Sequence, residues 1–125
     1  MSIENIQWVE VLARVLLGSL FVIGGLEHFR IVAELAARLA QRGVPQSRLL
    51  VRLGTAFQII AGALLMAGLW VPWAALGLIG FTIAASLLML NFWSMEGGVR
   101  AQAQNQFLTN IAVIGGLLYA AAAAV

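Results

Sequence analysis

Four polar side chains stand in stretches that are otherwise almost wholly apolar: His28, Gln58, Asn91 and Asn110. Three carboxamides and an imidazole are hydrogen-bonding groups. No nucleophile stands beside a base, and no residues are spaced as metal ligands, so none is assigned to catalysis or to a metal. Brought together, the four suit a flat lipophilic ring with two carbonyls, such as a quinone. His28 would donate to one carbonyl, and Asn91 or Asn110 to the other. Histidine is also the residue type best suited to move a proton near neutral pH, and Glu27 precedes it in the chain. A second pair is Glu10 and Arg14. They stand four apart with the acid first, the favoured order along a helix, and are expected to form a buried structural pair. The alternative is that Arg14 snorkels to the interface.

The elements that position these groups follow from composition. Of 125 residues, 62% are apolar and only 10% charged, too few charges to cover a soluble domain. The chain therefore reads as one integral membrane domain over residues 1–125. It has no cysteine, which excludes thiol–disulfide chemistry within the chain, cysteine-ligated metals and covalent haem attachment. Its single histidine excludes bis-histidine haem ligation by one copy. A net charge of +2, carried mostly by loop arginines, does not point to nucleic acid. The first apolar stretch is not expected to be a cleaved signal peptide. No basic residue precedes it, and Gly25-Leu26-Glu27 is a poor cleavage site.

Four apolar stretches predict transmembrane helices over about residues 6–26, 53–70, 72–93 and 107–125. In the first, Glu10, Arg14, Gly18, Phe21, Gly25 and His28 recur three or four apart, on one helical face. Lipid disfavours that face, so it should point into a bundle. Residues 29–42 form an amphipathic helix, with Arg30, Glu34, Arg38 and Arg42 four apart; it should lie flat in the interface. Gly43 can end it, Pro45 turns the chain, and Ser47 is the expected N-cap of the next helix. Gly54, Ala61 and Gly68 form a small-residue seam in the second span, Gly80 and Ala84 another in the third, and Ala112, Gly116, Ala120 and Ala124 one in the fourth. The tight Trp70-Val71-Pro72-Trp73 turn makes spans two and three a hairpin. Ser94 to Gln106, polar and holding Gly97-Gly98, reads as flexible. The predicted fold is an all-α, antiparallel four-helix membrane bundle, with the amphipathic helix between spans one and two.

Such threading puts His28, Asn91, Asn110 and Gln58 at the loop end of the bundle, Gln58 roughly 8 Å deep at 1.5 Å per residue. They are expected to line one polar pocket walled by Phe21, Phe92 and Phe107. The bland alternative is that they only bond helix to helix. Six arginines lie on the loop side, from Arg30 to Arg100, which places the loops in the cytoplasm and the termini outside.

These positions resemble a known family. Phe21 to Phe29 (F-V-I-G-G-L-E-H-F) is similar to the end of span one in the DoxX family, and Arg14 stands where that family carries an arginine. Gly43-Val44-Pro45 resembles its loop G-x-P; Gln58, Gly62 and Gly68 resemble E-x-x-x-G-x-x-x-x-x-G. Asn91-Phe92-Trp93 resembles H-x-W, and Phe107 to Leu118 resembles F-x-K-N-x-x-x-x-G-G-x-L. Gln58, Asn91 and Thr109 replace the family's Glu, His and Lys, so three ionisable positions are neutral here. The resemblance implies a four-helix protein of the bacterial or archaeal plasma membrane. Some members are linked to thiosulfate:quinone oxidoreductase or to membrane assemblies with soluble redox enzymes. The expected function is a quinone-interacting or redox-complex membrane subunit, with protein partners or a homo-oligomer, a quinone ligand and no intrinsic cofactor. The alternatives are a structural or assembly subunit without chemistry, and a small multidrug-type transporter. The last relies on an embedded acid in span one, where Glu10 is the only candidate.

Overall fold

A computed structural model describes residues 3–124, with side chains from Gln7 onward. The helices are α1 (Ile3–Arg30), α2 (Val32–Gln41), α3 (Ser47–Ala67), α4 (Val71–Met89) and α5 (Gly97–Ala123), with a 3-10 turn at Phe92–Ser94. Four of them are long and apolar enough to cross a membrane.

Helix α1 packs on α3 through glycines. A Cβ at Gly18 would lie 2.6 Å from the Gly62 carbonyl oxygen, and one at Gly25 would lie 2.5 Å from Ile59 Cγ1. Gly25 meets Ile59, Gly18 meets Met66 and Arg14 meets Gly68, so the contacts climb α3 as they descend α1. Helices α3 and α4 interlock differently: Phe57 lies over Gly77, and Phe81 over Gly54. The expected α3 seam is thus split three ways. Gly54 serves α4, Ala61 enters the core, and Gly68 ends the helix. The α4 seam is a correction. Gly80 and Ala84 are exposed, and the buried face instead runs Val71, Ala74, Ala75, Leu78, Thr82, Ser86. Small residues permit close approach without naming the neighbour.

The core is an apolar cluster near the α3–α4 turn, with Leu65, Leu78 and Leu117 fully buried. A smaller cluster at the other end seats Ala36 and Leu39 of α2 against Val51 of α3. Seating α2 there breaks the chain at Ile31 (φ −122°, ψ 31°), where the sequence has no glycine or proline.

Several boundaries move. Helix α1 runs on past Leu26 through His28 to Arg30. Gly43 ends α2 as expected: its N–H bonds to Ala40 O, and the Val44 N–H to Leu39 O. Ser47 does not cap α3. Gln46 takes that position with φ 52°, and Ser47 Oγ donates back to Val44 O at 2.8 Å. Helix α3 therefore starts six residues before Leu53. Helix α5 starts at Gly97, ten residues before Phe107. Its first turns have no apolar face, with only Ala103 buried, so hydrophobic periodicity could not reveal them. Local bonds support the following turns: Thr109 Oγ1 to Asn105 O at 2.9 Å and Gln106 Nε2 to Asn110 Oδ1 at 3.1 Å.

Candidate functional site

Two of the four loop-end residues bond across different helix interfaces. Gln58 is buried on α3 and turned toward α1, where its Nε2 donates to Phe21 O at 3.0 Å. Gly24 makes room for that amide, since a Cβ there would stand 3.2 Å from Nε2. Asn110 of α5 turns toward α4 and donates to Ser86 Oγ at 2.9 Å. Asn91 is half-buried at the start of the 3-10 turn, off the end of α4, and His28 is half-buried in the last turn of α1. Among the described residues no hydrogen bond joins any two of the four. Of the expected walls, Phe92 and Phe107 stack edge-on with Trp93, while Phe21 belongs to the core. Ser86, the partner of Asn110, went unrecognised in the sequence. Thr82 and Ser86, four apart in an otherwise apolar span, were the available signal.

Gln58 carries a balance of its own. Its Oε1 is buried with no partner, while its Nε2 is bonded. A lone buried acceptor costs about 1–3 kcal/mol, against about 0.5–1.5 kcal/mol from the bond it accompanies. Gln58→Leu removes both and keeps the volume. We expect thermal stability in mild detergent within about 1 kcal/mol of wild type. A loss several-fold larger would mean that Oε1 has a partner.

The other end holds a groove of about 710 Å³ between α1 and α5. Glu10, Ala13 and Arg14 line one wall, and Gly116, Ala120 and Ala123 the other, with Tyr119 alongside. It exists because the facing residues of α5 are small: Leu17 approaches Gly116 only to ordinary contact distance. Tyr119 was missed in the sequence, where it is a lone aromatic in an alanine-rich stretch.

The expected Glu10–Arg14 pair is not formed. Glu10 is exposed, and the ion pairs among the described residues are Glu27–Arg30 at 3.7 Å and Glu34–Arg38 at 3.0 Å. Arg14 is half-buried, with its guanidinium against Gly68, the left-handed residue that ends α3. The C-terminal end of a helix carries partial negative charge and attracts a cation. Glu10 lies one turn further out, about 6 Å along α1, beyond the end of α3 that would bury it. Arg14 Nε is buried and has no hydrogen-bond partner. The groove thus combines apolar walls with a guanidinium, a carboxylate and a phenol. It can hold an amphipathic molecule by an oxygen atom.

Comparison with curated proteins and with solved structures gives no match. The family model for DoxX matches residues 9–91, from the start of the Arg14 face through α2, α3 and α4 to Asn91. That stretch is well over half of the chain and holds Arg14, His28, Gln58 and the glycines that seat α1 on α3; this integral membrane protein therefore belongs to the DoxX family.

Proposed function

We propose that the chain is a quinone-interacting membrane subunit of a redox assembly, and that the ring lodges in the groove between α1 and α5. The observation that carries this reading is Arg14, a half-buried guanidinium in the wall of an apolar groove. A ring carbonyl would accept a charge-assisted hydrogen bond from that guanidinium. The groove's volume of about 710 Å³ falls within the range of small-molecule sites. The amides of Gln58 and Asn110 already have partners within the chain, which favours the Arg14 half over theirs.

Titration of the purified protein with a short-tailed quinone tests this. Arg14→Leu should weaken binding about tenfold, the worth of one hydrogen bond from a charged donor. Gly116→Leu should fill the groove and weaken it without touching Arg14, while His28→Ala should bind as wild type. Arg14→Leu binding as tightly as wild type would remove the groove from the reading. A wild-type chain that binds no quinone would favour a structural or assembly subunit.

In this reading the four long helices form an antiparallel bundle in the plasma membrane, and α2 lies flat at the cytoplasmic interface with the loops. Maleimide should label Ser2→Cys but not Gly98→Cys from outside intact cells. The opposite pattern would invert the protein.

A further inference from the structure

Six arginines and three glutamates occupy the end of the molecule that carries α2. Two of the acids pair along their own helices, Glu27 with Arg30 and Glu34 with Arg38. Arg42, Arg48 and Arg52 have no carboxylate partner among the described residues. They cluster where α2 ends and α3 begins, and all three are exposed.

A cleft of about 390 Å³ lies at the same place. Its α2 side is alanine alone, Ala33, Ala37 and Ala40 above the buried Ala36, and its α3 side includes Ser47 and Arg48. The small side chains leave the room, and Arg48 supplies the charge. Leu49, Leu50 and Leu53 are about half exposed on the same turns of α3. Guanidinium groups among exposed leucines match the depth at which lipid headgroups meet acyl chains.

We propose that this cleft binds the phosphate headgroup of an anionic phospholipid. The guanidinium of Arg48 offers paired donors that fit two phosphate oxygens, and Arg42 and Arg52 add charge without competing acids. The leucines meet the first carbons of the acyl chains. The site shares no residue with the quinone groove and stands independently of that reading.

The experiment uses the full chain in a zwitterionic detergent. Its thermal midpoint is followed as phosphatidylglycerol, phosphatidylcholine or inorganic phosphate is added. Phosphatidylglycerol should raise the midpoint in a saturable way, and phosphatidylcholine should not. Arg48→Gln should weaken the apparent affinity about fivefold, the effect of one basic residue near an anionic headgroup. Arg48→Lys should fall between them, keeping charge but losing the planar fork. Arg100→Gln, which removes an arginine from α5 at the same end, should behave as wild type. Equal response to both lipids overturns the proposal. So does an Arg100→Gln defect as large as that of Arg48→Gln, which would mean diffuse attraction without a site. Inorganic phosphate matching phosphatidylglycerol at equal concentration would reassign the cleft to a soluble anion.

Discussion

Gly18→Leu should separate α1 from α3 and cost about 3 kcal/mol, the upper part of the range for overpacking. Even a Cβ at Gly18 would stand 2.6 Å from the Gly62 carbonyl oxygen and 2.5 Å from Met66 Cγ. The methionine can swing aside, but the carbonyl belongs to a helix and cannot. The whole helix must move, and the Gln58 to Phe21 bond across the same interface goes with it. Gly80→Leu is the matched control, since nothing lies within 4 Å of that position. The thermal midpoint in mild detergent should fall sharply for the first and hold for the second. A Gly18→Leu protein as stable as wild type would show that the two helices do not meet there.

Gly68→Ala should be nearly as damaging, through two causes that can be separated. Gly68 has φ 76°, and the left-handed region costs a residue with a Cβ about 1–2 kcal/mol. The turn is held by its own N–H to Leu65 O and the Leu69 N–H to Leu64 O, so it cannot simply relax. The new methyl would also occupy the space of the Arg14 guanidinium. In an Arg14→Ala background only the backbone part should remain. A shared contact of this kind makes the two substitutions non-additive by about 0.5–3 kcal/mol. Equal costs in both backgrounds would mean that Arg14 does not rest on this turn. The quinone titration acquires a second check, because Gly68→Ala should displace Arg14 and weaken binding.

Arg14 also shows where sequence reasoning reached its limit. Its face on α1 was legible, because charge and glycine recurred together three or four residues apart. Its partner was not. Four-residue spacing named Glu10, the nearest acid in the chain, yet the guanidinium meets the end of α3, more than fifty residues away in sequence. Asn110 repeats the lesson, since its partner Ser86 belongs to another helix.

Apolar content, helix-length stretches and the motif order determined the class, the four long helices, the Gly43 stop and the family, because these depend on local chain properties and on the cost of backbone polar groups in lipid. Tertiary structure alone decided which glycine faces which helix, where α2 breaks away at Ile31, and that the ten residues before Phe107 are helical. It also placed Gln58 and Asn110 in two different interfaces and left a groove at the opposite end. The physical reason is that a helical face specifies what must be covered, while the covering neighbour depends on rotation and register between helices. Those follow from all the side chains at an interface together, such as Gly18 against Gly62 and Phe57 against Gly77.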